Sequence, residues 1–510
     1  MTSSRPPHPV VRQRLHHTHA GDGKRIGLHP AEKALVGLII VQLAFWAWAN
    51  GGMRLWSNWV GCSLAVVAFI VSLWPRHYTE ENSRQGRFHL SMWPRLLRFP
   101  LFWAGLLLMA YIAIQGFNPA WVWMTNEAGS WWMQGIPHIE WLPHGTISPL
   151  KMGNPLRSIM IFGAGWLTLC AIWVGVTRRR SLQIILYGIA ANALLLAGLA
   201  IAQRLTGTDK ILWFQESPNE IWGTFFYRNH GGAWFNLMVA VFCALACWHY
   251  LRGLRTFAKS SPTPVLGFLS LLMTVTVIVS YSRGAVLALL VFLGLFLIFF
   301  LLRQFSLPNY PQKHLVTAVL LLTFAGFAFI GLRGLDAKKT WDRMEELFAG
   351  ETTSLVARQI ATKATFDMWR ASPWLGHGAD SFQFIFPLYQ QNHPEIWSQQ
   401  RWDKRQQKMV EGRRFFWQNA HNDFAQILAE LGVVGVAPIV FGLLWGAWHC
   451  VRRRAWGNPM VVVPLLGLLV VLFHSWGEFV FQCPAILIMW LALGGIALHW
   501  AELEAPAQSR

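Results

Sequence analysis

The sequence predicts an all-α, polytopic membrane protein of about twelve transmembrane helices, with a mostly helical outer subdomain between the ninth and the tenth. Three observations carry that prediction. Hydrophobic residues make up 54% of the 510-residue chain and charged ones 13%, the balance of a protein that presents much of its surface to lipid. The apolar residues gather into runs of about 20, the length that crosses roughly 30 Å of hydrocarbon. Lysine and arginine outnumber acids enough for a net charge of +19, and they concentrate in alternate connections between the runs.

The runs lie near 34–50, 56–74, 99–115, 157–176, 182–203, 232–250, 263–281, 284–302, 315–332, 433–450, 459–475 and 482–500. An even number leaves both chain ends on one side. Residues 1–33 are polar and basic, too long and charged before the first apolar run for a cleaved signal peptide, and are read as a disordered cytoplasmic tail. Residues 501–510 form a second cytoplasmic tail. Between them, residues 34–332 hold helices one to nine, 333–432 the outer subdomain and 433–500 the last three helices.

Arg76 to Arg98, Arg178-Arg179-Arg180, Leu251 to Lys259, Arg303 to Lys313 and Arg452-Arg453-Arg454 all fall on the side of the N-terminal tail. In a membrane protein this excess means orientation and contact with anionic lipid before it means an acidic substrate, and nucleic acid is not among the expected partners. The six cysteines sit in or beside apolar runs as small hydrophobes, with neither disulfide nor zinc spacing.

Three longer connections fall on the opposite, outer side: 116–155, 205–231 and 333–418. The first is rich in tryptophan (Trp121, Trp123, Trp131, Trp132, Trp141), which reads first as an interfacial belt and alternatively as a stacking surface for sugar rings. The third opens with W-D-R-M-E-E-L-F, continues with Val356, Ile360, Ala364 and Met368 at helical spacing, and breaks at Pro373 and Gly376-His377-Gly378.

Polar chemistry gathers on that outer side. The run R-R-F-F-W-Q-N-A-H-N-D places Asn419, His421, Asn422 and Asp423 at the mouth of the tenth apolar run, where unpaired ionisable groups are costly. A neutral His421 can accept a proton, and Asn419, Asn422 or Asp423 are candidates to orient its ring. Arg283, in S-Y-S-R-G-A, has no acid within ten positions on either side, so local pairing cannot satisfy it. Its planar guanidinium matches phosphate oxygens, although an anchor reaching toward lipid headgroups is the plainer alternative. Arg228 is followed by Asn229, His230 and Gly231-Gly232, glycines that would let a ligand approach the backbone. Pairing of Arg228 with Glu216 or Glu220 is an equal alternative. Arg413 and Arg414 extend the basic surface or form a solvated face beside Glu411. His474 and Glu478, four apart, are placed on one helical face, as a structural pair or a second polar contact to substrate. No residue spacing suits a metal ion, and no cofactor is expected.

The order of these features resembles the O-antigen ligase and O-antigen polymerase superfamily of bacterial inner-membrane glycosyltransferases. The match rests on His421-Asn422, nine intervening residues and Gly432-Val433-Val434-Gly435. It is supported by Tyr281-Ser282-Arg283-Gly284-Ala285 and by W-R-A-S-P-W-L-G-H-G-A-D-S-F at Trp369 to Phe382. The H-S-W-G-E-F-V-F-Q-C-P stretch is similar to a tail segment that usually carries Asp where this chain has Glu478. The likeness covers roughly Trp222 to Trp500.

The resemblance implies a metal-independent, inverting transferase in the bacterial inner membrane, working at its periplasmic face on a glycan linked to undecaprenyl diphosphate. Arg283 and Arg228 would hold the donor diphosphate, and His421 would deprotonate the acceptor hydroxyl. Asn422, Asn419, Asp423, His230, Arg414, His474 and Glu478 would support them. The acceptor would be a growing glycan, lipid A-core or a protein hydroxyl, so polymerase, ligase and protein O-oligosaccharyltransferase all remain open. The long N-terminal tail and Trp-rich loop lean the reading toward a polymerase. A small-solute, bicarbonate-type transporter is the alternative from another class, and would place its polar groups at mid-membrane on interrupted helices.

Overall fold

The computed structural model describes residues 27–83, 86–256, 260–307, 313–334, 354–403, 408–414 and 416–504, and within them each of the twelve apolar runs is a helix. These are α1 (Pro30–Trp48), α2 (Leu55–Leu73), α3 (Pro100–Phe117), α4 (Pro155–Gly175), α5 (Arg179–Leu205) and α6 (Arg228–Thr256). There follow α7 (Thr263–Val279), α8 (Arg283–Phe305), α9 (Lys313–Gly334), the outer helix α10 (Ser354–Ala371), α11 (Asp423–Arg452), α12 (Pro459–His474) and α13 (Pro484–Glu504). Nine of the described helices are long and apolar enough to cross a membrane; α7, α12 and the described apolar part of α9 are shorter. The chain is a multi-pass, all-α membrane protein.

Several helices begin earlier than their apolar runs, and the reason is local. Asn154, Ser282 and Asn422 each accept a hydrogen bond from a first-turn amide and so cap α4, α8 and α11. Counting apolar residues misses these polar first turns. The difference matters, because Arg228, Arg283 and Asp423 thereby become the first residues of α6, α8 and α11.

Helix α6 is the hub, almost wholly buried, and packs against α5, α7, α8 and α12. Helices α2, α3 and α11 are peripheral and turn Trp56, Trp103 and Leu444 outward, as lipid-facing surfaces do. At the end away from the histidine motif, Arg76 is fully buried against Glu32 at 3.0 Å, and Thr177 and Ser181 also donate to that carboxylate. Arg76 is therefore a paired core residue, unlike the solvated orientation charges with which its sequence position groups it.

Short strands punctuate the connections. β1 (Arg76–Tyr78) pairs with β2 (Phe88–Leu90), and β6 (Ser398–Asp403) with β7 (Lys408–Arg414). In the Trp-rich connection, β3 (Pro119–Thr125) lies between antiparallel β4 (Trp131–Gly135) and parallel β5 (Gly145–Ile147). Trp131 meets Phe384 and Phe416 of the outer subdomain in T-shaped contacts, so this loop is a folded element packed on that subdomain. The outer subdomain has its own core, with Ala364 and Met368 of α10 against Phe382, Phe386, Ile396 and Ala420. The segment W-D-R-M-E-E-L-F and the side chain of Arg414 lie outside the described residues.

One junction fastens that subdomain to the helices. Gly432 interrupts α11 with φ +61° and ψ −178°, a conformation open essentially to glycine alone. Backbone groups freed by a break inside a membrane protein must find other partners. Here Pro373 to Gly378 supplies them: His377 N donates to Ala429 O (3.0 Å), Gly378 N to Glu430 O (2.8 Å), Val433 N to Pro373 O (2.9 Å) and Val434 N to Trp374 O (3.1 Å). From α3, the Tyr111 hydroxyl lies 2.7 Å from Leu375 O and 2.8 Å from Leu431 O, while the Gln115 amide donates to Leu375 O and Glu430 O. The two glycine motifs of the sequence thus meet each other, backbone to backbone.

Candidate functional site at three helix N-termini

Four helices are drawn to one end of the bundle by close backbone contacts. A Cβ on Gly232 would sit 2.5 Å from Ala285 Cβ, so the first turns of α6 and α8 touch. One on Gly284 would sit 2.5 Å from His474 Nε2, joining α8 to the end of α12. Asp423 N donates to Ser475 O at 3.0 Å and ties α12 to the start of α11. Gly231 and Gly232 therefore serve helix packing, against Trp222 and α8, rather than the ligand approach expected from the sequence. The outcome is that the N-termini of α6, α8 and α11, each carrying partial positive charge, converge.

His421 precedes the Asn422 cap with φ +53°, a left-handed conformation that costs about 1–3 kcal/mol in a non-glycine residue. The turn sets its ring edge-on to Phe479 at 4.7 Å and Trp417 at 5.7 Å. Its Nδ1 lies 3.3 Å from Glu478 Oε2. An ionised carboxylate only accepts, so Nδ1 carries the hydrogen and Nε2 keeps the basic lone pair. Among the described residues Nε2 has no hydrogen-bond partner. The orienting group is thus Glu478, and the residues expected in that role do other work. Asn422 caps α11, Asn419 accepts from Gln426, and Asp423 takes Phe481 N at 2.9 Å and Gln482 Nε2 at 3.3 Å, bracing the last loop.

Glu478 is 4% exposed, and a charge so buried requires partners. It has three: His421, Asn229 Nδ2 at 2.7 Å and Arg358 Nη1 of α10 at 2.7 Å. Burial alone would raise its carboxyl pKa, but the His421 hydrogen bond and the Arg358 charge outweigh it and hold the group below its usual value of 4.5. Asn229 also donates to Tyr227, whose ring stacks on Phe479 and whose hydroxyl is pushed up to about 12, first by burial and then by Glu478. His230 meets Phe479 O at 3.1 Å. Asn229 and Arg358 were missed by sequence reasoning; neither lies near Glu478 in the chain, and only folding brings them together.

A carboxyl whose pKa is lower folded than unfolded stabilises the fold above the unfolded value, and that stabilisation is lost as pH falls through the folded one. The expected result is a melting temperature in detergent that drops as pH is lowered below about 4.5, with a shallower drop in Glu478→Gln. Equal slopes for the two proteins would show that Glu478 does not carry the linkage.

Arg283 begins α8 and is exposed, with no ion pair or hydrogen bond to another described residue. Arg228 is paired with Glu220, as one of the two sequence readings held. Arg204, at the end of α5, stacks over Tyr281 at 4.4 Å and brings a further cation beside the Ser282 turn. His474 ends α12 and Glu478 lies in the loop beyond, so they do not share a helical face. Among the described residues no group of three or more His, Cys, Asp or Glu is arranged to hold a metal ion.

No curated protein matches the chain. Residues 268–440 match the O-antigen ligase family, a span that takes in Arg283, the Pro373–Gly378 segment, His421 and both glycines of the α11 junction. Over that span the chain is similar to the O-antigen ligase superfamily.

Proposed function

We propose that the protein moves a glycan from undecaprenyl diphosphate to an acceptor hydroxyl at the periplasmic face of a bacterial inner membrane, with both termini cytoplasmic. The observation that carries this reading is the His421–Glu478 pair beside converging helix N-termini and an Arg283 that has no partner among the described residues. The donor's diphosphate docks on Arg283 and the helix ends, whose fixed positive charge favours an anion. Arg228 joins by exchanging Glu220 for a phosphoryl oxygen.

His421 Nε2 takes the proton of the acceptor hydroxyl while Glu478 steadies the imidazolium that forms. The freed oxygen attacks the anomeric carbon from the face opposite the diphosphate. The carbon–oxygen bond to the diphosphate breaks, its electron pair leaves with undecaprenyl diphosphate, and the anomeric centre inverts. No step calls on a metal, since guanidinium and amide donors meet the charge that grows on the leaving group.

The test supplies purified protein with an undecaprenyl-diphosphate glycan and separate glycan, lipid A-core and protein acceptors, without added metal. Release of undecaprenyl diphosphate coupled to one acceptor supports the reading and separates polymerase from ligase from protein transferase. No release with any of them ends it. Arg283→Lys keeps the charge but loses the planar fork, and transfer is expected to fall on the order of 10²-fold; full activity in that variant would remove Arg283 from the donor site. Interruption of a helix, as at Gly432, is also a transporter trait. Here the freed backbone groups are taken by Pro373 to Gly378 and by Tyr111 and Gln115, which favours the transferase.

A further inference from the structure

His474 is 5% exposed, and among the described residues neither of its ring nitrogens has a hydrogen-bond partner. Buried polar side chains are nearly always paired, so an imidazole left open on both nitrogens calls for a missing partner. Its position indicates what that partner is. The ring presses on the first turn of α8, with Nε2 only 2.5 Å from where a Cβ of Gly284 would stand, so it reaches this turn because residue 284 is glycine. Helix α8 runs for 23 residues with no acid in its first turn. Ser282 satisfies the Ala285 amide, while the amides of Arg283 and Gly284 find no acceptor among the described residues. The charged and titratable groups that act on the ring are Glu478 and Arg358, already paired with each other, and His230, held by Phe479 O.

We propose that His474 and the free amides of Arg283 and Gly284 form one pocket for a phosphoryl oxygen of the donor's diphosphate. This rests on the transferase reading above. In the resting donor the oxygen already carries charge and accepts from the imidazole N–H and the amides. As the bond to the sugar breaks, electrons pass onto the diphosphate and each of these hydrogen bonds strengthens, so the pocket favours the transition state over the bound donor. His474 is then a leaving-group contact, on the opposite side of the reaction from His421, which handles the acceptor.

Three variants test the pocket. His474→Leu keeps apolar bulk and removes the donor, His474→Gln keeps a donor, and Gly284→Ala leaves the imidazole in the chain while pushing it off the helix end. Turnover, KM for donor and for acceptor, and inhibition by added undecaprenyl diphosphate are measured, with melting in detergent as the check on folding. The expected result for His474→Leu is turnover lower by on the order of 10²-fold, acceptor KM unchanged, and inhibition by undecaprenyl diphosphate weakened about tenfold or more. His474→Gln should recover part of both, and Gly284→Ala should behave like His474→Leu.

Wild-type turnover and inhibition in His474→Leu would overturn the proposal, as would a His474→Gln no better than His474→Leu. Should His474→Leu fail to fold, Gly284→Ala decides alone, and wild-type behaviour there overturns the proposal too. If the wild-type protein transfers glycan and these variants match it, only the pocket is lost. If the wild-type protein neither transfers nor binds undecaprenyl diphosphate, the transferase reading itself fails.

Discussion

His421→Ala is expected to lower transfer by about 10² to 10⁴, the usual contribution of a positioned general base, while inhibition by undecaprenyl diphosphate stays as in the wild type. On the proposed mechanism the two readouts separate, because there His421 serves the acceptor and the donor is held elsewhere. An acceptor hydroxyl is a weak nucleophile until its proton has somewhere to go, and Nε2 is the basic nitrogen left open by the Nδ1 contact to Glu478. Removing the ring also strips one of three partners from a carboxylate that is 4% exposed, so a modest loss of stability accompanies the loss of rate. Glu478→Gln distinguishes these effects. It retains His421 but offers Nδ1 a neutral amide, and a smaller loss of rate, on the order of tenfold, is expected because charge stabilisation of the imidazolium goes while the base remains. Transfer undiminished in His421→Ala would refute the assigned role.

What a sequence reveals here follows the range of the forces involved. Apolar runs specify helices through local burial, and all twelve runs correspond to helices. His421 and Arg283 announce themselves because each is a costly group at an apolar boundary, His421 within a dense polar cluster and Arg283 with no acid nearby to pair it. The partner of His421 is hidden because Glu478 is 57 positions away and is itself stabilised by Asn229 and Arg358 from two further elements. Asn422 and Asp423 look like ring-orienting groups since they adjoin the histidine, but a helix start has first claim on an asparagine as its cap. Tyr111 and Gln115 are invisible for a different reason: within an apolar run they look like minor interruptions, and only the break in α11 reveals carbonyls that need their hydrogens.

Gly432→Ala carries the second large effect, expressed in folding before chemistry. At φ +61° and ψ −178° the backbone of residue 432 lies in a region where a Cβ costs about 1–3 kcal/mol in strain alone. Sterics add to this, since that Cβ would stand 2.4 Å from Trp374 O and 2.6 Å from Gly376 N, both backbone atoms that cannot swing aside. Relief requires the Pro373–Gly378 segment to withdraw, which breaks the bonds from Val433 N and Val434 N and leaves the Tyr111 hydroxyl facing half of its pair. The outer subdomain would then loosen at its anchor, and with it Arg358 of α10, the cation that keeps Glu478 charged beside His421. Gly432→Ala should therefore cleave faster within the outer subdomain under limited proteolysis, melt earlier in detergent and lose most transfer activity although every candidate site residue is present. Gly294→Ala in α8, where a Cβ meets nothing within 4 Å among the described residues, is the matched control and should behave as wild type. Wild-type protease resistance and activity in Gly432→Ala would show that the junction between the two glycine motifs does not hold the site together.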